Sequence, residues 1–197
     1  MRCLYLAGPD IFRPDAQERG AHLKALCAAH GLRGVYPLDG APSHMTADAI
    51  RRKCMSEIDA ADALAANITP FRGPHMDPGT AWEIGYAQAR GKPVFLWSED
   101  PRPLVARVGG PTPSGWRDAE GHTVEDFNGR ENLMIAPAGA LVHDTPEAAI
   151  AAVADALVVV RAPPRADRSP LGLLQMIGIA AAVALAAGYL GDRFLFK

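Results

Sequence analysis

Short apolar runs and stretches of helical period alternate along the first 160 residues, which predicts an α/β domain on a largely parallel sheet. The first run, Cys3-Leu4-Tyr5-Leu6-Ala7, stops at Gly8-Pro9-Asp10. It is too short for a signal-peptide core and reads as a buried strand. Pro14 and Asp15 open a helical stretch with Leu23, Leu26 and Cys27 at helical spacing and Gly31 as its cap. Val35-Tyr36 marks a short second strand. Thr46 is expected to cap a helix to about residue 61 that carries Ile50, Cys54 and Ile58 on one face. Residues 63–68 read as the third strand, and residues 69–78, with Pro70, Pro74, Pro78 and Gly73, as irregular loop. A helix over 79–90, a strand over 93–97, a loop-rich stretch over 100–128, a strand over 140–143 and a helix opened by Thr145-Pro146-Glu147 follow. The expected architecture is a flavodoxin- or Rossmann-like, doubly wound sheet of five largely parallel strands with flanking helices.

The pattern changes after residue 160. Residues 161–170 form a polar, proline-containing linker, and residues 171–190 hold 20 positions with no charge and one strongly polar side chain, Gln175. That length fits a C-terminal hydrophobic helix able to span a bilayer. Ala180, Ala184 and Gly188 make a stripe of small residues suited to close helix packing there. Two readings follow: an anchor that tethers a cytoplasmic catalytic domain to the inner membrane, or a helix buried in an oligomer interface.

Composition narrows the partners. A net charge of −2 gives no support to a nucleic-acid surface. Cys3, Cys27 and Cys54 are widely spaced and suggest neither a disulfide framework nor a zinc site. No histidine pair has metal-ligand spacing, so neither metal nor cofactor is expected.

In an open parallel sheet, ligands bind beyond the carboxyl ends of the strands. Two loops leave such ends, at residues 8–12 and 69–78. The second delivers Asp77 at a helix mouth and Glu83 six residues later on the first turns. Carboxylates at different heights can occupy different environments, which suits chemistry where one stays ionised while another handles a proton. Gly79 and Gly85 allow close approach of a ligand to the backbone. By spacing alone, Asp77 is equally a helix cap and Glu83 a solvated surface residue.

Three strings carry more. Tyr5-Leu6-Ala7-Gly8-Pro9-Asp10-Ile11-Phe12, then Asp77-Pro78-Gly79-Thr80-Ala81-Trp82-Glu83-Ile84-Gly85-Tyr86-Ala87, then Gly91-Lys92-Pro93-Val94 resemble the nucleoside 2-deoxyribosyltransferase family. The segments 66–74, 124–127 and 131–135 look like its bacterial branch. The resemblance implies that Glu83 is the nucleophile that attacks C1′ of a deoxynucleoside, expels the nucleobase and holds the sugar covalently until a second base accepts it. It further implies that Tyr5 hydrogen-bonds that nucleophile and that Asp77 serves the base and its proton transfer. Gly8, Asp10, Phe12 and Gly79 are then substrate-binding. Asn132, with Asp126 as competitor, would be lent to the sugar site by a neighbouring subunit, so the enzyme would be a homo-oligomer with shared active sites. Where the family usually places an aspartate or asparagine facing the base, this chain has Cys54, a weak donor and poor acceptor.

The expected partners are thus a deoxynucleoside and a free nucleobase. Rival readings are hydrolysis of deoxynucleosides or of their 5′-monophosphates, with Asp10 opposing a phosphate unless an arginine intervenes. A non-catalytic nucleotide-binding module on a membrane is a reading of another class. For the anchor, cell fractionation of the full chain and of a chain ending at Arg165 decides. The full chain is expected to need detergent and the shortened one not; two freely soluble chains end the membrane reading.

Overall fold

Arg2–Ala7 is the first strand, β1, and all but its first residue are buried. Successive strand side chains face opposite sides of a sheet. Cys3, Tyr5 and Ala7 therefore enter one core and Leu4 and Leu6 the other. A computed structural model of the chain describes residues 1–41, 44–137 and 139–159. In order after β1 come a 3-10 turn (Pro9–Phe12), α1 (Ala16–Ala29), β2 (Leu32–Val35), α2 (Ala47–Ala60), β3 (Ala63–Asn67), α3 (Pro78–Ala89) and β4 (Val94–Trp97). There follow α4 (Leu104–Val108), β5 (Gly110–Thr112), β6 (Gly115–Arg117), β7 (Val142–His143) and α5 (Pro146–Val159).

Five strands form one sheet in the order β2-β1-β3-β4-β7, every neighbour parallel. This is the flavodoxin order, with the direction of winding reversed between β1 and β3. One core packs Ile58 of α2 and Ile84 and Ala87 of α3 against the Tyr5 face. The other packs Leu23 and Cys27 of α1 and Ile150 and Val153 of α5 against the Leu4–Leu6 face. A helix glycine, Gly20, serves that second core: a Cβ there would lie 2.5 Å from the Tyr36 ring.

The expected five-stranded, doubly wound sheet is thus present, with three differences in detail. The second strand is Leu32–Val35 rather than Val35-Tyr36, and Tyr36 follows it as a buried core residue. The last strand shrinks to Val142–His143. Within the stretch expected as loop lie α4 and an antiparallel hairpin, β5 with β6. Short strands of two or three residues carry too little periodicity to stand out in a sequence. The linker 161–170 and the apolar run 171–190 lie outside the described residues. Among the described residues, no helix is long and apolar enough to cross a membrane.

The loop between β3 and α3 is pinned from outside the sheet. Glu131, 3% exposed, accepts from the backbone N–H of Met76 at 3.1 Å and pairs with Arg107 at 2.9 Å. Arg107 in turn donates to the carbonyl of Pro74 at 2.9 Å. Both side chains of the pair are 2% exposed, so removing one leaves a buried charge alone. Arg107→Met is expected to cost roughly 3–5 kcal/mol in urea unfolding. A loss under about 1 kcal/mol would mean that the pair does not hold this loop.

Candidate active site

The sheet's period of two sends Tyr5 to the α2–α3 side, and the helical period of α3 sends Glu83 to meet it. Thr80, Ile84 and Ala87 form the buried stripe of α3, and Glu83 stands one turn after Thr80 beside that stripe. The Tyr5 hydroxyl donates to Glu83 Oε1 at 2.7 Å, across 78 residues of chain. Glu83 lines a cleft of about 480 Å³ between the end of β1, α2 and the start of α3, and the buried Tyr5 holds it from beneath the lining.

Asp77 enters the same cleft as the N-cap of α3. Its Oδ2 accepts from the Thr80 N–H at 2.8 Å and from the Thr80 hydroxyl at 3.0 Å, which fixes the carboxyl at the helix mouth. Asp77 thus both caps α3 and lines the cleft. Gly79 lines the cleft, where a Cβ would press on Asp77 Oδ2 at 3.0 Å. Gly8 lines it from β1; a Cβ there would meet Asn67 Cβ at 2.8 Å, so the close approach of the β1 and β3 ends requires glycine.

On α2, Ile50, Cys54 and Ile58 do share a face, as the spacing predicts. Ile58 is buried in the core, Cys54 is half-buried, and Ile50 is exposed at the rim, so the stripe climbs out of the core along the cleft wall. Phe12 closes the opposite side. It is half exposed and stacks on Phe71 at 5.3 Å, with the Arg72 guanidinium over both rings.

Burial pushes the Glu83 carboxyl up to about 7, against the Tyr5 hydrogen bond, with the Asp77 and Glu57 charges adding to the rise. Burial, reinforced by the Glu83 charge, pushes the Tyr5 phenol far above its ordinary range, so it stays a neutral donor. Burial also raises the Cys54 thiol, which interacts with both Tyr5 and Glu83 and stays protonated.

Three expected substrate-binding residues do not line this cleft. Asp10 is 4% exposed, and its two oxygens are taken by Arg19 Nε at 2.8 Å and Asn67 Nδ2 at 2.9 Å. It ties the β1 and β3 ends together and borders a separate cavity of about 270 Å³. Asp126 is exposed, and Asn132 bonds locally, donating from Nδ2 to Glu125 at 3.1 Å. Residues that sequence spacing does not single out include Glu131, and Trp82 and Arg51 at the cleft rim. A group with ligand atoms within 4.8 Å of one another, Asp118, Glu120 and His122, lies outside the cleft, with His122 Nδ1 engaged by Asp118 at 3.0 Å.

A carboxylate gripped by a neutral phenol, with a second carboxylate beside it, is the equipment of enzymes acting at a sugar's anomeric carbon. Comparison with known proteins defines the family. The family model for nucleoside 2-deoxyribosyltransferase matches residues 4–134. A solved structure described as a 2-desoxiribosyltransferase from Leishmania mexicana shares 35% identity and a TM-score of 0.69, covering 79% of this chain and 98% of that one. An uncharacterized Schizosaccharomyces pombe protein is 38% identical over 125 residues, and the match spans 59% of each of the two lengths. The chain belongs to the nucleoside 2-deoxyribosyltransferase family.

The raised Glu83 value has a consequence for stability. The folded protein binds a proton that the unfolded chain releases, so this group favours the fold fully below about 4.5 and progressively less as pH rises to about 7. Thermal unfolding from pH 4.5 to 8 is expected to show that decline, and Glu83→Gln to flatten it by raising stability at the alkaline end. Identical profiles for the two proteins would show that Glu83 keeps an ordinary pKa.

Proposed function

We propose that the protein transfers 2-deoxyribose between nucleobases through a covalent glycosyl-enzyme at Glu83. The observation that carries this reading is the 2.7 Å hydrogen bond from Tyr5 to Oε1 of Glu83, which lines the same cleft as Asp77. With Oε1 held, attack on C1′ falls to Oε2. The bond from C1′ to the base breaks as the oxygen–C1′ bond forms, through an oxocarbenium-like transition state. A sugar without a 2′-hydroxyl has less inductive resistance to positive charge at C1′. Asp77 Oδ1, left free by the Thr80 cap, is the group assigned to hand a proton to the departing base nitrogen and to take one back from the incoming base. An incoming base then displaces the carboxylate by the reverse path.

The role of Asn132 belongs to the same reading. Asn132 does not line its own cleft, and its neighbours Leu133 and Met134 are 38% and 75% exposed. Apolar side chains exposed beside a polar one suit a subunit interface. We infer a homo-oligomer in which this segment completes the sugar site of a second copy.

A specific observation supports a second reading, hydrolysis of deoxynucleoside 5′-monophosphates. Arg19 neutralises Asp10, which removes the repulsion that an aspartate after β1 would otherwise exert on a phosphate.

Incubation with deoxyinosine and free adenine separates the readings. Deoxyadenosine is the expected product, whereas free deoxyribose alone means hydrolysis. Glu83→Ala is expected to lose a factor on the order of 10⁴ or more in kcat, as removal of a nucleophile does; full retention would leave only a binding module. Because the nucleophile must be ionised, kcat/KM is expected to rise with pH to a plateau above about 7. Tyr5→Phe removes a hydrogen bond to a charged group, so activity falls roughly 10- to 100-fold. The midpoint of its profile moves to higher pH, since the Tyr5 bond lowers the Glu83 pKa. An unmoved midpoint would overturn the role of Tyr5.

A further inference from the structure

The cleft wall on α2 has lost one polar reader and holds another. Cys54, half-buried beside Tyr5 and Glu83, offers a nucleobase only a weak donor. Most polar side chains around the cleft are already engaged. Lys53 donates to the Pro37 carbonyl at 3.0 Å and to Glu57 at 2.7 Å. Thr80 is spent on Asp77. Arg51, one helical turn before Cys54, lines the same cleft and makes no hydrogen bond or ion pair among the described residues. Its guanidinium lies 4.8 Å from the centre of the Trp82 ring, on the residue preceding Glu83. A ring face holds such a cation in place without consuming its donors.

We propose that Arg51 reads the base, and that it selects 6-oxopurines, hypoxanthine and guanine, over adenine. The proposal rests on the reading of Glu83 as the group that attacks C1′. With the sugar over Glu83, the base lies along the apolar wall that Ile50 and Cys54 continue, and Arg51 borders that wall. A guanidinium offers donors only, in a planar fork. Hypoxanthine and guanine present two acceptors side by side, O6 and N7, which match the fork. Adenine presents N7 beside an amino group, whose hydrogens meet those of the guanidinium. A phosphate fits the wall less well. The other cations of this turn, Arg52 and Lys53, are paired with Asp48 and Glu57, which leaves a single free charge.

The test is base release by the full chain from deoxyinosine, deoxyguanosine and deoxyadenosine, each also supplied as its 5′-monophosphate, with isotope-labelled free adenine present throughout as the common acceptor. A bidentate contact discriminates by roughly fivefold to a hundredfold, so kcat/KM is expected to favour the two 6-oxopurine nucleosides by that factor. Arg51→Leu should bring the three values together by lowering deoxyinosine and deoxyguanosine while deoxyadenosine holds, and that retained activity shows the variant is folded. Arg51→Lys keeps the charge without the fork and should lose several-fold of the preference. Base release with no such preference, or a preference unchanged in both variants, overturns the role of Arg51 and leaves Glu83 as the nucleophile. A dependence on Arg51 for the monophosphates alone makes it a phosphate contact and overturns base selection. No release from any of the six overturns the proposed function, and the role of Arg51 with it.

Discussion

The hydrogen bond between Tyr5 and Glu83 depends on two periodicities that meet at one point. A strand buried on both faces must split its side chains between two cores, and β1 sends Tyr5 to the side covered by α2 and α3. On α3 the stripe of Thr80, Ile84 and Ala87 fixes the rotation of the helix about its axis, and Glu83 comes with it. A one-residue slip of β1 would turn Tyr5 into the opposite core. The parallel register with Val35 on one side and Leu64 on the other resists such a slip, because the whole apolar set would change faces with it.

What that bond requires is a fixed mouth for α3, and the structure supplies it from two directions. Inside, Asp77 caps the helix through Thr80 and holds its own carboxyl in the cleft. Outside, the buried pair of Arg107 and Glu131 grips the preceding loop at Pro74 and Met76. A buried ion pair is weak evidence for net stability, because desolvation offsets most of its attraction. Here its partners are backbone groups of a loop that no strand or helix would otherwise hold. Positioning, rather than stability, explains why two charges are spent there. The segment that carries Glu131 continues directly into Asn132, the residue that the proposed oligomer would lend to a second copy's site.

Much of this was legible in the sequence, and the boundary of legibility is physical. The winding of the sheet followed from alternation, the caps at Thr46 and Asp77 from local chemistry, and the Ile50–Cys54–Ile58 face from helical spacing. Tyr5 shows the limit. Period and burial placed it in a strand core, and only the resemblance to a family paired it with Glu83, because 78 residues separate them. Asp10 shows a second limit. A polar residue in a loop at a strand end resembles a ligand contact, yet its oxygens are consumed by Arg19 and Asn67, partners that no local pattern reveals. Arg107 was unreadable for the same reason: a loop arginine is solvated by default, and burial of its side chain depends on Glu131 arriving from a segment 24 residues away.

The Glu83 carboxyl sits at a compromise between two demands. On the proposed reading, burial would exclude water from an oxocarbenium-like species and so protect transfer against hydrolysis, but the same burial raises the pKa of the carboxyl. The Tyr5 hydrogen bond and the neighbouring Cys54 thiol pull the other way, and Asp77 pushes with burial. A stronger donor in place of Cys54 would relieve the carboxylate further and would also crowd the base with a second polar group. The thiol does neither, and on the proposed reading recognition of the base passes along α2 to the exposed Arg51 at the rim. The weakness of Cys54 and the freedom of Arg51 are then two sides of one arrangement: a dry wall close to the reacting carbon, and a directional contact kept at the far edge of the base.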